Sequence, residues 1–246
     1  ITIVVNAAIT VTGTTSFTAT YGFARTLDTF TSSGGTGSKT FSISPTDSHI
    51  SINTTTGAIT LDSTTPSGTY NETVTSTDSQ GSTGSLAIQI VVASGITISG
   101  GSNIFATSGF MKKSSAFIAS NGTGTKTWSL QNNPSGVTID TNTGVVTVDS
   151  STSSSGSPFT ITVIATDSLG AYTTTTMTIT VYPALTLSGG SLITTTAGIA
   201  DTATAITYSG GAGGVTWTLS DNRTGLSIDS QGRIKVSSAA TAATFW

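Results

Sequence analysis

One segment of the sequence occurs three times, and it constrains the fold more than any other feature. The copies begin at Lys39, Lys126 and Val215. Each has an aromatic and an aliphatic residue two positions apart, a polar gap, two spaced aliphatic residues, a turn ending in glycine, and two more spaced aliphatic residues. Apolar residues at every second position predict β-strands with one buried face. That face needs a second layer of strands to cover it, so the sequence predicts a two-layer, all-β fold.

The repetition extends over nearly the whole chain. Residues 1–5 (ITIVV) match residues 88–92 (IQIVV) at an offset of 87, and a two-residue insertion within 150–158 changes the offset to 89. Repetition of this length indicates tandem modules. The predicted domains are residues 1–7 as the last strand of a preceding repeat, 8–94 as repeat 1, 95–183 as repeat 2, and 184–246 as repeat 3, which is incomplete because its last two strands are absent.

Repeat 2 shows the predicted strands most clearly. They are residues 95–99, 115–120, 125–130, 137–140, 144–149, 159–166 and 171–182. The predicted inward-facing residues are Phe117, Trp128, Leu130, Val137, Ile139, Val146, Val148, Phe159, Ile161, Val163, Ala165, Met177, Ile179 and Val181. Seven short strands separated by turn signals predict an immunoglobulin-like β-sandwich, and the repeats predict several such sandwiches arranged end to end.

The incomplete third repeat leaves two interpretations open. Either the chain is a segment of a longer array, or the missing strand comes from a neighbouring molecule, with residues 1–5 as a donor strand in a head-to-tail filament. The connections between repeats, at 6–8, 93–95 and 182–184, are only three residues long. Connections this short predict a semi-rigid rod.

Composition excludes several classes of chemistry. The chain has no cysteine and a single histidine, His49, which excludes disulfides, cysteine-type zinc sites and a histidine-based triad in each repeat. Charged residues make up 8% of the chain and the net charge is −3, so no basic surface for nucleic acid is expected. No apolar run approaches the length of a transmembrane helix, so membrane insertion is not expected. Serine and threonine number 93, which indicates that hydroxyl groups cover the exposed faces of the strands.

Two motifs of repeat 2 carry a resemblance to a known family. They are residues 140–148 (DTNTGVVTV) and 159–170 (FTITVIATDSLG), with counterparts at 53–61 and 76–81 in repeat 1. These motifs resemble the cadherin-like and putative immunoglobulin-like repeats of microbial and viral surface proteins. The resemblance implies the tandem sandwich fold, and it implies modules that serve as spacers, adhesins or fibre segments.

The resemblance also raises the question of calcium, because cadherins bind this ion between modules through acidic residues. Only Asp78 and Asp167 match that pattern, while the linker positions hold Ala-Ser at 93–94 and Pro-Ala at 183–184. Calcium takes six to eight oxygen ligands, including several carboxylates. Asp78 and Asp167 are therefore weak calcium candidates, and the favoured interpretation is that each accepts backbone N–H groups of its own turn. No metal or other cofactor is expected.

Other residues of chemical interest have structural explanations. The carboxylates lie mostly in turns and several recur by repeat, which favours turn formation over catalysis. Trp128 and Trp217 could stack on sugars, but they share a repeat position with Phe41, which predicts a core role. Lys112 and Lys113 are predicted to lie in a solvated loop. Four sequons mark candidate glycosylation sites, at Asn53, Asn71, Asn121 and Asn222.

These observations predict a protein that is not an enzyme, has no catalytic residues, and acts mechanically. The expected function is a structural rod in a stalk, fibre or filament at the cell surface or virion surface. Its expected partners are neighbouring repeats and identical subunits. One alternative is an adhesin that binds surface glycans or proteins through the loops that differ most between repeats, at 14–29, 102–116 and 192–205. The other alternative is a spacer segment in a large secreted enzyme.

Overall fold

The computed structural model describes residues 1–190, 192–220 and 223–242. Every regular element within these residues is a β-strand. The predicted all-β fold class is therefore confirmed. Among the same residues, no helix is long and apolar enough to cross a membrane.

Repeat 1 contains nine strand segments. They are β1 (Thr10–Thr12), β2 (Ser16–Thr20), β3 (Arg25–Thr29), β4 (Thr31–Ser33), β5 (Lys39–Ser44), β6 (Ile50–Ile52), β7 (Ala58–Leu61), β8 (Gly68–Asp78) and β9 (Thr83–Ala93). One sheet has the order β2-β9-β8-β5, and the facing layer is formed by β3-β7-β6 together with the pair β1-β4. Only Phe30 separates β3 from β4, and only a short turn separates β1 from β2. The nine segments therefore correspond to seven strands, of which the first two are each divided.

Repeat 2 has the same topology. Its strands are β10 (Thr97–Gly100), β11 (Ile104–Thr107), β12 (Lys112–Lys113), β13 (Phe117–Ser120), β14 (Thr127–Gln131), β15 (Val137–Ile139), β16 (Val146–Val148), β17 (Phe159–Thr166) and β18 (Tyr172–Tyr182). The four-stranded sheet has the order β11-β18-β17-β14, and the other layer combines β12-β16-β15 with β10-β13. In each repeat the divided first strand crosses between layers, because its second half pairs in parallel with the last strand (β2 with β9, β11 with β18).

Alternating side chains explain how each sandwich holds together. In β17, residues 161, 163 and 165 are buried while their neighbours are partly exposed, as period-two alternation requires. The predicted inward set of repeat 2 is confirmed: Leu130, Ile139 and Phe159 are partly buried against the core, and the others are buried within it. Ile96, Ile104, Ala106 and Ala171 also belong to that core and were not predicted. Repeat 1 has a separate core that includes Phe30, Phe41 and Ile90.

A glycine turn closes the repeated segment in each copy. The N–H of Gly57 donates to the Asn53 carbonyl, and Gly144 does the same to Asp140, four residues back in both cases. In repeat 3 the donor Gly232 lies only three residues after its acceptor Asp229, which is how the fold absorbs the missing residue.

Repeat 3 is built differently from the other two. Its strands are β19 (Thr186–Ser188), β20 (Asp201–Thr202), β21 (Thr207–Ser209), β22 (Leu226–Ile228) and β23 (Ile234–Val236). They form the pair β19-β21 and the sheet β20-β23-β22, which match a single layer of the complete sandwich. The segment 216–219, which corresponds to β14, is not a strand. In repeat 2, β14 pairs with β17. The described residues of repeat 3 contain no strand equivalent to β17, so the segment 216–219 has no strand to pair with.

Two sequence expectations were wrong. The stretches 14–29, 102–116 and 192–205 are not simply variable loops, because they contain β2 and β3, β11 and β12, and β20 respectively. Lys112 and Lys113 are exposed, but they form a strand that pairs with β16 rather than a loop. Both errors have the same cause: these strand segments are short, and alternation over two to five residues is too weak a signal to identify a strand.

Candidate functional site: the junction between repeats 1 and 2

At the junction of repeats 1 and 2, the structure brings polar side chains of different repeats into contact. The Thr20 side chain, at the end of β2, donates its hydroxyl proton to Asp167 Oδ2 of repeat 2 across 2.6 Å. Both residues are buried, with exposed fractions of 2% for Thr20 and 5% for Asp167. Because hydrogen bonds to a carboxylate are stronger than those between neutral groups, this contact is a specific link between the two sandwiches.

Thr123 extends the link on the repeat 2 side. Its backbone N–H donates to the same Asp167 oxygen at 2.9 Å. Its hydroxyl lies 2.8 Å from Thr20 Oγ1 and 3.2 Å from the carbonyl of Ala19. The Thr20 proton is already directed to the carboxylate, so Thr123 is the donor in this second contact. The result is a closed hydrogen-bonded ring that contains groups from both repeats.

The turn that follows Thr20 supplies an apolar contact. The N–H of Phe23 donates to the Thr20 carbonyl at 3.3 Å, and Gly22 between them has φ of 90°. A glycine with positive φ in the third position is the mark of a type II turn. The turn places Phe23 against the core of repeat 2. The junction therefore combines a buried charged hydrogen bond with a partly buried aromatic ring.

The same turn occurs in all three repeats. Thr107-Ser-Gly109-Phe110 and Thr196-Ala-Gly198-Ile199 repeat the pattern Thr-x-Gly-(Phe/Ile), hereafter the connector turn. The N–H to carbonyl distances are 3.1 Å for Phe110 to Thr107 and 2.9 Å for Ile199 to Thr196. The middle glycines have φ of 95° and 88°. Sequence reasoning placed these residues in loops, although the recurrence of Thr, Gly and an apolar residue at the repeat offset was a signal that could have identified them.

The two aspartates accept N–H groups of their own turns, as the favoured sequence interpretation states. Asp78 Oδ1 accepts the N–H groups of Gln80 and Ser82, both at 2.9 Å. Asp167 Oδ1 accepts those of Leu169 and Ala171 at 2.9 and 3.0 Å. In each repeat the carboxylate thus fixes the tight turn that leads into the last strand.

These hydrogen bonds determine the charge state of both carboxyl groups. Burial raises the pKa of Asp167, but hydrogen bonds from the Thr20 hydroxyl and from three backbone N–H groups outweigh it, so the pKa lies below its ordinary value. For Asp78 the backbone N–H of Thr36 is the largest cause of a lowered pKa. Both groups are therefore ionised acceptors at neutral pH.

The residues at the junction do not fit a calcium ion. The two oxygens of Asp167 accept four hydrogen bonds, from Thr20, Thr123, Leu169 and Ala171, so donors rather than acceptors surround the carboxylate. Calcium takes six to eight oxygen ligands, among which carboxylates, carbonyl groups and water are usual. Within the described ranges no group of three or more His, Cys, Asp or Glu side chains is placed to hold a metal ion. At this junction the Thr20 hydroxyl donates its proton to Asp167 Oδ2, so a proton donor and not a cation neutralises part of the carboxylate charge.

The remaining candidate residues are not brought to this site. Trp128 is buried and packs on Phe117 with ring centroids 6.0 Å apart, as predicted. Trp217 is only partly buried, because the described part of repeat 3 contains no second sheet to cover it, so the expectation of a core position was too strong. His49 Nδ1 lies 3.2 Å from Asp62 Oδ2 in a partly exposed turn.

Three of the four candidate glycosylation sites lie within the described residues. Asn53, Asn71 and Asn121 are exposed. Asn222 lies outside the described residues.

The strand order defines the class of protein. Layers that pair the first, second, fifth and fourth strands against the third, sixth and seventh are those of the immunoglobulin-like sandwich. The parallel pairing of β2 with β9 and of β11 with β18 adds half of the first strand to the second layer. The chain is a tandem array of cadherin-like, immunoglobulin-like β-sandwich repeats.

Comparison with known proteins found structural matches of low sequence identity and low TM-score. No protein-family model and no curated protein matches the sequence. Mouse cadherin-23 EC22-24 matches at 17% identity and a TM-score of 0.29, over 72% of this chain and 65% of that one. The extracellular cadherin domains 3-6 of protocadherin gamma B2 match at 12% identity and a TM-score of 0.33, over 96% of this chain and 69% of that one. The immunoglobulin domains 1-4 of Sidekick-1 match at 12% identity and a TM-score of 0.32, over 91% of this chain and 66% of that one. This chain thus spans about two thirds of these structures.

Proposed function

We propose that the chain is a mechanical spacer: a rod of β-sandwich modules in an extracellular stalk, fibre or filament that holds other parts of its protein away from a cell or virion surface. The observation that supports this function is the contact between Thr20 and Asp167. A buried, charged hydrogen bond between consecutive modules restrains their relative orientation, and restrained orientation is what a spacer requires.

The proposal includes the division of the chain into modules. Residues 8–94 and 95–183 would be complete modules, 184–246 the beginning of a third, and 1–7 the end of a preceding one. Two features support these boundaries: each of the first two modules has its own core, and the linkers between modules are short. Contacts within a module would then outnumber those across a junction, as in other repeat proteins.

Small-angle X-ray scattering on the purified chain tests the rod directly. Modules of roughly 30–40 Å placed in line would give a maximum dimension on the order of 90–120 Å. A compact globule of this chain length would instead have a radius of gyration of about 18 Å. A measured radius of gyration of about 18 Å would show that the modules fold back on each other and would contradict the proposed function.

One observation favours an adhesin as a second candidate. Phe105, Phe110 and Met111 of repeat 2 are exposed and line a cleft together with Leu185 and residues 211–216 of repeat 3. Exposed aromatic rings in a cleft can stack on sugars. However, Phe110 is the counterpart of Phe23, which packs on repeat 2 at the other junction, so a complete third repeat would cover this ring.

Glycan-array binding by the full chain distinguishes the two functions. An adhesin would give a defined glycan signal that Phe110→Ala abolishes and that Phe23→Ala, at the closed junction, leaves in place. A spacer would give no defined glycan signal, either as the unmodified chain or as either variant. A glycan signal that Phe110→Ala abolishes and Phe23→Ala leaves in place would overturn the spacer proposal.

A further inference from the structure

The surface around Asp78 in repeat 1 has the same construction as the surface of repeat 2 that receives repeat 1. In repeat 2, Asp167 Oδ2 accepts the Thr123 N–H at 2.9 Å, and Ser168 Oγ donates to the Thr123 carbonyl at 3.0 Å. In repeat 1, Asp78 Oδ2 accepts the Thr36 N–H at 2.7 Å.

The serine contact is also duplicated, because Ser79 Oγ donates to the Thr36 carbonyl at 2.9 Å. Gly35 and Gly122 then bring the backbone close to the carboxylate in the same way. A Cβ atom on Gly35 would lie 2.9 Å from Asp78 Oδ2, and one on Gly122 would lie 3.2 Å from Asp167 Oδ2. The two surfaces therefore offer an incoming group the same acceptor in the same surroundings.

Both aspartates are buried, with exposed fractions of 6% for Asp78 and 5% for Asp167, but the two surfaces differ in the hydrogen bonds made to the carboxylate. Asp167 Oδ2 accepts the Thr20 hydroxyl from the preceding repeat as well as the Thr123 N–H. Among the described residues, the hydrogen bond from Thr36 is the only one made to Asp78 Oδ2. A carboxylate oxygen can accept two hydrogen bonds, so Asp78 Oδ2 keeps one acceptor position.

The Thr36 hydroxyl, next to Asp78, can also donate a hydrogen bond to an incoming group. Thr36 Oγ1 accepts the side-chain amide of Asn6 at 2.8 Å, which leaves its own proton available to donate. In repeat 2 the corresponding hydroxyl, that of Thr123, donates toward Thr20 and Ala19. The Asn6 contact is therefore compatible with an arriving threonine.

We propose that the Asp78 surface is a docking site for the connector turn of another module of this kind, joined in tandem on the N-terminal side, whose threonine hydroxyl donates to Asp78 in a junction that needs no metal ion. The inference rests on the proposed spacer function. It adds the partner, the contact atoms and the independence from calcium. The occupant follows from the chain itself, because the equivalent carboxylate of repeat 2, Asp167, accepts the hydroxyl proton of a connector-turn threonine.

The test extends the full chain by one module. Residues 1–92 are fused to residues 6–246, which keeps Asn6 and maintains register because Val92 and Val5 occupy equivalent positions. The chain has no cysteine, so pairs of introduced cysteines can carry spin labels without background. Ser42 and Ser129 are exposed equivalents in β5 and β14 and report on the native junction. The two copies of Ser42 report on the new one.

Pulsed electron paramagnetic resonance should give an equally narrow distance distribution across both junctions, unchanged by calcium or by a chelator. Thr20→Val in the added module should broaden the distribution at the new junction alone. Thr20→Val in the original module should broaden it at the native junction alone, so each variant controls the other. Thr20→Ser, which keeps the hydroxyl, should restore the narrow distribution.

Two results would overturn the inference: a broad distribution at the new junction while the native one stays narrow, or a new junction that narrows only with calcium. An unchanged width after Thr20→Val in the added module would also overturn it. Failure of the spacer function looks different, because both junctions, including the native one, would then be broad in the unmodified sequence.

Discussion

Glu72 is the residue whose position in the core is hardest to reconcile with stability. It is 3% exposed and lies on the inward face of β8, where repeat 2 has Ile161. Among the residues that the structure describes, its Oε2 atom has no hydrogen-bond partner. A buried polar group without a partner costs about 1–3 kcal/mol. Glu72→Ile should therefore raise the free energy of unfolding by about that amount, measured by chemical denaturation at neutral pH. A lower stability would show that the carboxyl group makes a favourable contact.

The pH dependence of that gain provides an independent check. Burial and the nearby Asp47 carboxylate raise the pKa of Glu72 in the folded state. A raised pKa means that the folded state holds the proton more tightly, so this group lowers stability as pH rises through the folded pKa. The advantage of Glu72→Ile should be small at a pH below the ordinary glutamate pKa and should grow toward neutral pH. Asp78 and Asp167 stabilise the folded state more as pH rises, which is the opposite dependence. Both are present in the unmodified chain and in Glu72→Ile, so their effects cancel in the stability difference between the two.

At the scale of the element, two turn glycines distinguish the backbone strain of positive φ from the steric clash of an added Cβ atom. Gly144 has φ of 67°, and a Cβ there would lie 2.7 Å from the Phe117 carbonyl oxygen. Gly109 has φ of 95° with open space around it. Gly109→Ala should cost only the backbone strain of positive φ, about 1–2 kcal/mol. Gly144→Ala should cost about 1–3 kcal/mol more, because the methyl group also displaces the neighbouring strand. Equal losses in thermal or chemical unfolding would contradict the steric argument.

The long elements were predictable from the sequence, and the short ones were not. The strand 159–166 was predicted with the bounds that the structure shows, because eight residues of alternation leave little ambiguity. The segment β11 was missed, because four residues give a weak pattern and its partner β18 is more than 60 residues away. Thr20 was missed for a related reason: its role depends on Asp167, which a neighbouring module supplies. Local pattern reveals what a strand buries within its own module, but it carries no information on which module a hydroxyl group will meet.

At the scale of the whole molecule, the third repeat should be the least stable region. Within 184–242 a single large apolar residue, Val236, is buried among the described positions, whereas repeat 2 has a full core. Strand β23 pairs with two neighbours as its counterpart β16 does, so the two differ mainly in the missing second layer.

Because local opening is easiest where little apolar surface is buried, amide protons of β23 should exchange at least about tenfold faster than those of β16. Hydrogen exchange followed by mass spectrometry can measure both in one sample, with β7 of repeat 1 as a second protected reference. Equal protection in β16 and β23 would mean that a single sheet is sufficient for stability in this chain. The core-based account of the rod would then be wrong, because it attributes the stability of each module to the two layers that close over its alternating side chains.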